Sequence, residues 1–188
     1  EAVRSFREHL AHGESGIAVP EMSEEPAPEV EQTHGQLLAA RATGTVRITD
    51  VAIDHPGRLV DREWLLPDEP MTVRVRYHAT DPTDDILFGI AIDDKEGNNL
   101  FGINTQILGC EIPTVIGDGE MAFEFDRVPL LDGTYLVTLA IQTADEGTVY
   151  DWHEQRYSFD VMNPSRGAGR VSFPVSVRFE HLEPRAAP

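Results

Sequence analysis

The stretch MTVRVRYHA, residues 71–79, decides the fold class of this chain. Its apolar side chains alternate one by one with threonine, arginine and histidine. A strict period of two is typical of a β-strand with one face in a core and the other in water. The same alternation predicts further strands elsewhere in the chain, at residues 86–92, 99–106, 121–125, 135–142 and 170–180.

Another strand is predicted just after Gly44, and its alternation changes phase once. Val46 and Ile48 fit one phase, whereas Val51 and Ile53 fit the other. A single change of phase indicates a β-bulge, in which one extra residue is inserted into the strand.

The predicted strands follow one another without helices between them. Residues 148–161 add a strand pair or a bent strand, and turns such as DDKEGNN at 93–99 and PLLDGT at 129–134 separate the segments. Eight or nine short strands in this order predict an all-β fold. We expect an antiparallel β-sandwich of immunoglobulin-like or jelly-roll type over residues 44–182.

Two segments of different character precede the predicted sandwich. Residues 1–13 carry apolar side chains at helical spacing, which predicts a short amphipathic helix. The following segment has six Glu and three Pro and no Lys or Arg before Arg41. Charge repulsion and proline stiffness favour an extended chain. We therefore interpret residues 14–43 as an acidic, flexible linker.

The last predicted strand, at residues 170–180, differs from the others because it can lie at a sheet edge. It follows a loose connector, and Pro174 removes one backbone donor from its ladder, which favours a sheet edge. Such a strand can pair with its own sheet or with the sheet of a second copy. A strand swap between two protomers is therefore one alternative for residues 170–180.

Composition excludes several functions. The 188 residues carry a formal charge of −18, which opposes binding to nucleic acid. No apolar run approaches the roughly 20 residues that cross a bilayer, so direct membrane insertion is not expected. The single lysine, Lys95, lies between Asp94 and Glu96 and cannot belong to a phosphate-binding P-loop. The one cysteine, Cys110, allows no internal disulfide and suits the cytoplasm.

The sequence offers no constellation for catalysis. The histidines are scattered, and Tyr157 stands where a zinc-binding HExxH motif beginning at His153 needs its second histidine. A glycoside hydrolase needs two opposed carboxylates, and nothing singles out a pair among the 33 acidic residues. We expect neither enzymatic activity nor a cofactor.

A binding face is the functional feature that remains. Sugars are held by aromatic rings and by amide, arginine and histidine side chains on a shallow surface. We expect Gly89, Ala91 and Gly102 to leave a trough between such side chains. The predicted carbohydrate-binding residues are Arg76, His78, Asn104, Gln106, Gln142, Tyr150 and Trp152.

Four segments carry a family resemblance, in this order: EPMTVRVRYHA, ILFGIAIDDKEGNNLFGINTQ, VPLLDGTYLVTLAI and TVYDWHEQRYSFDV. Over residues 44–161 the chain resembles the C-terminal carbohydrate-binding domain of Wzt-type ATP-binding subunits of polysaccharide (O-antigen) ABC transporters. FGINTQ and YDWHEQRYSF are the most distinctive stretches. EAVRSFREHL, at residues 1–10, resembles the helix that closes the nucleotide-binding domain of such subunits.

The resemblance implies a function and partners. It implies a non-catalytic domain that recognises the lipid-linked polysaccharide in the cytoplasm before export. It further implies a homodimer, often with exchanged terminal strands, that meets the permease subunits through an upstream ATPase domain at the inner face of the cell membrane. Two alternatives remain, namely an assembly module that holds two upstream domains in register and, less favoured by the residues, a β-sandwich glycoside hydrolase.

Overall fold

The computed structural model describes residues 33–165 and 167–179, and strands make up most of this part of the chain. The elements follow the order helix α1 (His34–Arg41), β1 (Val46–Asp54), a 3₁₀ helix (Pro56–Val60), β2 (Met71–Thr83), β3 (Ile86–Asp94), β4 (Asn99–Asn104), β5 (Val115–Phe125), β6 (Gly133–Thr143) and β7 (Val149–Val161).

The strands form two antiparallel sheets. Sheet I has the strand order β1-β2-β5, and sheet II has the order β4-β3-β6-β7. Apolar side chains from both sheets form one buried cluster between them. The predicted all-β sandwich is therefore confirmed, with seven strands in the described residues instead of eight or nine.

The core follows the alternation in the sequence. Val73 and Val75 of β2 point inward from sheet I, and Val137 and Leu139 of β6 point inward from sheet II. Burying each such side chain contributes about 1.5–3 kcal/mol. Tyr135 is also buried, and its hydroxyl donates a hydrogen bond of 2.7 Å to the Leu131 carbonyl oxygen.

The bulge predicted in β1 is present. The pairing of β1 with β2 shifts between Ile48 and Asp50, where the phase of the alternation changes. The shift leaves the Ile48 N–H free to donate to the Asp151 carboxylate of β7 at 2.7 Å. The bulge thus links the edges of the two sheets.

The turn predicted between β3 and β4 is also present. Asp94 Oδ1 accepts hydrogen bonds from the Glu96 and Asn98 N–H groups, both at 2.9 Å. Gly97 has φ of 85°, a backbone conformation that glycine adopts at little cost.

The N-terminal segments differ from the prediction where the structure describes them. The helix expected at residues 1–13 lies outside the described residues. The extended linker expected at 14–43 is wrong at its end, because α1 occupies His34–Arg41. Thr33 Oγ1 accepts from the Gln36 N–H, and the Gln36 side chain accepts from the Thr33 N–H, which forms a capping box.

The C-terminal segment leaves its own sandwich. Val171 forms an isolated bridge with Leu130, and the chain from 172 to 179 then continues without strand pairing. The strand predicted at 170–180 is therefore absent from both sheets of this protomer as far as residue 179. The alternating apolar side chains of residues 172–179, which we call the C-terminal arm, are 77–90% exposed: Phe173, Val175, Val177 and Phe179.

Candidate functional site

Small side chains occupy the centre of the outer face of sheet II. In the pairing of β3 with β4, Ala91 lies opposite Gly102, and in the pairing of β3 with β6, Gly89 lies opposite Ala140. We call these four residues the floor. Each carries at most a methyl group, and larger side chains around them leave Ala91 1% and Ala140 4% exposed. The structure brings Gly89, Ala91 and Gly102 together on one face, and a trough that is open to a ligand there stays a prediction.

Two larger polar side chains stand at the ends of one row across the floor. Asn104 of β4 is paired with Gly89, and Trp152 of β7 is paired with Ala140. Three strand spacings separate them, about 14 Å in all. Gln142, paired with Leu87, lies in the next row on the same face. We call the floor and these border residues together the trough, and its main row is longer than one pyranose ring.

Asn104 carries an unused donor. Its side chain is almost fully buried, at 1% exposure, and its Oδ1 accepts from the Ile107 N–H at 2.8 Å. Its Nδ2 has no hydrogen-bond partner among the described residues. Leaving a buried donor unpaired costs about 1–3 kcal/mol, so Nδ2 is predisposed to meet an acceptor.

A bulge in β7, at residues 154–156, forms the border of the trough next to Thr138. Pairing breaks between Leu139 and Val137 of β6, where Thr138 faces residues 154–156. The Gln155 N–H donates to Thr138 Oγ1 at 2.9 Å, and Gln155 Nε2 donates to Asp93 Oδ2 at 3.3 Å. These bonds fix the Gln155 side chain above sheet II.

Asp93 gives this border an acidic character. Burial raises the pKa of its carboxyl, and the nearby charges of Asp94 and Glu154 raise it further. Hydrogen bonds from the amides of Asn99 and Gln155 act in the opposite direction. A carboxylate held by neutral amides favours ligands that donate hydroxyl protons and disfavours anionic ones.

Helix α1 closes the Trp152 end of the trough. The indole packs between Ala140 and Val149 on one side and Leu38 and Ala42 on the other. Trp152 is 9% exposed, and its Nε1 has no hydrogen-bond partner within the described residues.

A cavity of ≈ 540 Å³ lies at one end of sheet II, between the β4–β5 loop and the start of β3. Leu87, Thr105, Gln106 and Cys110 are among the residues that line it. Leu87 is paired with Gln142, so the cavity lies beside the row that contains Gln142.

The seven predicted site residues do not share one surface. Asn104, Gln142 and Trp152 lie on the outer face of sheet II, and Gln106 lies at the cavity beside it. Tyr150 instead packs against the main core and is half-buried.

The expectation that Arg76 and His78 face the same trough is wrong, because β2 belongs to sheet I. Arg76 Nε donates to Glu120 at 3.0 Å, and His78 Nδ1 lies 2.7 Å from Asp118, all on the outer face of that sheet. Sugar contact by the predicted residues stays a prediction.

Several border residues were missed from the sequence. Asp93 continues the period-two series Leu87, Gly89, Ala91, which could have placed it on the trough face. Helix α1 has a capping-box signature, Thr33 followed by Gln36, which could have revealed its start. Gln155 had no comparable signal, because its position depends on a bulge that local sequence does not show.

The described residues hold no group of three or more His, Cys, Asp or Glu able to bind a metal ion. Nor does any helix in this part of the chain combine the length and apolar character needed to cross a bilayer.

Two antiparallel sheets with a small-residue trough on the outer face of the larger one define a β-sandwich domain. The model of the Wzt C-terminal domain family matches residues 39–173, and the chain belongs to this family. Domains of this family are part of the ATPase subunit of an ABC transporter.

A solved structure of the same family has the same fold. The crystal structure of the C-terminal domain of Wzt superposes with a TM-score of 0.66 at 20% identity, covering 74% of this chain and 86% of that chain. The β-glucuronidase of Bacteroides uniformis aligns with a TM-score of 0.43 at 13% identity, over 58% of this chain and 14% of that chain. None of the curated protein sequences compared with the chain matches it significantly.

Proposed function

We propose that this domain binds the lipid-linked polysaccharide of an O-antigen-type ABC transporter, without cleaving it, in preparation for export. The observation that carries the proposal is the trough on sheet II, in which a floor of glycine and alanine is bordered by amide and indole side chains. Membership of the Wzt C-terminal domain family supports the same function.

The border chemistry suits sugars. Amides donate and accept at once, as sugar hydroxyls do, so Gln142 and Asn104 can pair with hydroxyl oxygens and protons. Once uncovered, the indole of Trp152 would offer an apolar ring for a pyranose face. Once the side chains that cover it have moved, a floor of glycine and alanine would let an extended oligosaccharide approach the sheet closely.

The cellular setting is part of the proposal. The domain acts in the cytoplasm, at the inner face of the cell membrane, and an upstream ATPase domain connects it to the permease subunits. Residues 1–10 resemble the end of such a domain. In this arrangement the trough receives the glycan while the ATPase drives export.

The proposal includes a homodimer with exchanged C-terminal arms. Four apolar side chains alternate along the arm and are exposed in the protomer, as is expected of a strand that pairs with a second copy. Two troughs on one dimer bind a repeating polymer through avidity, so that modest affinity at each trough suffices.

An assembly module is the second candidate, and the exposed arm favours it. In that case the arm joins two copies and holds the upstream domains in register, and the trough has no ligand. The two candidates differ in one measurable property, which is binding of polysaccharide by the intact dimer.

Calorimetric titration with delipidated cell-surface polysaccharide from the source organism tests the proposal. We expect Gln142→Ala to weaken binding about fivefold to tenfold, since one hydrogen bond contributes about 1 kcal/mol. Trp152→Ala should abolish retention of the glycan, because it removes the stacking surface. Arg76→Ala on sheet I is the matched control and should bind as the parent does.

Each outcome is decisive for one candidate. If the parent dimer shows no binding, the assembly module is favoured and the glycan proposal fails. If Arg76→Ala weakens binding and Gln142→Ala does not, the glycan lies on sheet I. Release of new reducing ends would show a hydrolase instead, and we expect none.

A further inference from the structure

Helix α1 lies on the surface that the proposed glycan needs. Leu38 and the adjoining Ala42 cover the indole of Trp152, which leaves that side chain 9% exposed. An aromatic ring covered in this way cannot stack on a sugar. We propose that α1 is a lid, and that glycan binding at Trp152 requires α1 to leave this end of the trough. This inference rests on the proposed function.

The helix docks on β7 outside the main core. Its apolar contact consists of Leu38, with Ala42 just after its end, and belongs to a small cluster separate from the main core. Leu37, the neighbouring residue, is 42% exposed. At the start of the helix, Thr33 Oγ1 donates to Glu154 Oε2 at 2.8 Å on the β7 bulge. An eight-residue helix whose apolar contacts lie outside the main core can detach without unfolding the sandwich.

The attachment point of the lid lies just after the helix. The Thr43 N–H donates to the Val149 carbonyl oxygen at 3.0 Å, and the Gly44 N–H donates to the Tyr150 carbonyl oxygen at 2.9 Å. These bonds join the chain to β7 whether α1 is docked or not. Gly44 has φ of 71°, a conformation that glycine tolerates. Movement of the helix can therefore occur at Ala42 and Thr43.

The closed state leaves a donor unused. Trp152 Nε1 is buried without a partner among the described residues, although a buried indole N–H is normally hydrogen-bonded. A sugar oxygen in place of α1 would satisfy it. The closed lid is thus a state that a ligand of this chemistry can displace.

The bulge at 154–156 contacts both the lid and the rest of the trough. Glu154 accepts a hydrogen bond from Thr33 at the start of α1. The adjacent Gln155 donates a hydrogen bond to Asp93 of β3, which lies on the same face as the floor. Gly35 permits this contact, because a Cβ there would lie 2.1 Å from the Glu154 carboxyl carbon. The position of the lid and the position of Gln155 at the trough border therefore depend on two neighbouring residues, Glu154 and Gln155.

Trp152 itself can report on the lid. The chain has two tryptophans, so Trp64→Phe leaves Trp152 as the single fluorophore. In this background of the full chain, Leu38→Asp should detach α1 and increase acrylamide quenching of Trp152 at least about threefold, as burial is lost. Leu37→Asp is the matched control on the same helix and should leave quenching unchanged. Gly35→Glu is a second opening variant, because its side chain would meet Glu154.

The same variants are then titrated with the delipidated polysaccharide. Because a closed lid reduces the competent fraction, we expect Leu38→Asp and Gly35→Glu to bind about tenfold more tightly than the parent. Circular dichroism should show an unchanged sandwich.

Each result distinguishes failure of the lid role of α1 from failure of the proposed glycan-binding function. Increased quenching with unchanged or weaker binding would overturn the lid and leave the glycan function standing. Unchanged quenching in both opening variants would show that α1 does not cover Trp152 as a lid. Increased quenching without binding by the parent or any variant would remove the glycan function, and the lid role with it.

Discussion

His55 is a buried histidine at the end of β1, directly before the 3₁₀ helix. Burial lowers its pKa, and the positive charges of Arg58 and Arg62 lower it further. A histidine of this kind stays neutral in the folded protein at a pH at which the unfolded chain takes up a proton. The fold therefore loses stability as the pH falls below about 6.5, the ordinary value, toward the lowered folded pKa.

Unfolding in urea between pH 7.5 and 5 measures this effect. We expect the free energy of unfolding of the parent to fall with pH across this interval, and His55→Gln to show a flatter dependence. The same slope in both proteins would mean that other groups cause the decrease.

Asp151 is a second residue whose protonation affects the stability of the fold. Burial alone would raise its pKa, but hydrogen bonds from His153 and from the Ile48 N–H hold the pKa below its usual value. The carboxylate also accepts from the backbone N–H of Trp152 at 2.9 Å. One side chain thus ties β7 of sheet II to the bulge of β1 in sheet I.

At the scale of elements, the C-terminal arm makes a prediction about assembly. Double substitution Val175→Asp and Val177→Asp should prevent arm exchange, because two side chains that would each contribute about 1.5–3 kcal/mol by burial become charged. Light scattering after gel filtration should then report a monomer. Ser176→Asp, on the opposite side of the alternation, is the matched control and should remain dimeric. A dimer in the double variant would show that the arm is not the interface.

Elements with strict alternation were predicted well from the sequence. The series Met71, Val73, Val75 fixed β2, and the phase change between Ile48 and Val51 located the bulge in β1. Helix α1 was missed because Leu37 and Leu38 are adjacent and produce no periodic pattern.

The site could be predicted only in part, for a physical reason. Alternation shows which side chains leave the core, but not which sheet a strand joins. Arg76 and Gln142 both point outward, yet they lie on opposite faces of the molecule because β2 pairs with β1 and β5. Sheet membership depends on contacts between distant segments, and no local pattern records it.

At the scale of the whole molecule, the link through Asp151 should contribute to global stability. Asp151→Ala leaves the Ile48 N–H without its acceptor, and we expect a loss of about 1–3 kcal/mol in the free energy of unfolding at pH 7. Asp118→Ala removes an exposed hydrogen bond with His78 and should cost less than Asp151→Ala, because water can replace the lost partner. Urea denaturation measures both.

The pH dependence of these variants provides a further check. The contribution of Asp151 is present above its unfolded pKa and is lost as the pH falls through the lowered folded value. Acid unfolding should therefore be less steep in Asp151→Ala than in the parent. Equal stability of parent and variant at every pH would show that the two sheets hold together without this link.

The bulge of three residues, 154–156, opposite Thr138 affects how the sequence of this domain can change in evolution. Pairing of β7 with β6 resumes at Tyr157, so insertions or deletions at 154–156 leave every core position in place. A change in the length of that segment therefore leaves the register of the core residues on either side of it as it is. Since Glu154 and Gln155 sit there together, a change in what the domain recognises would be inherited along with a change in how readily it opens.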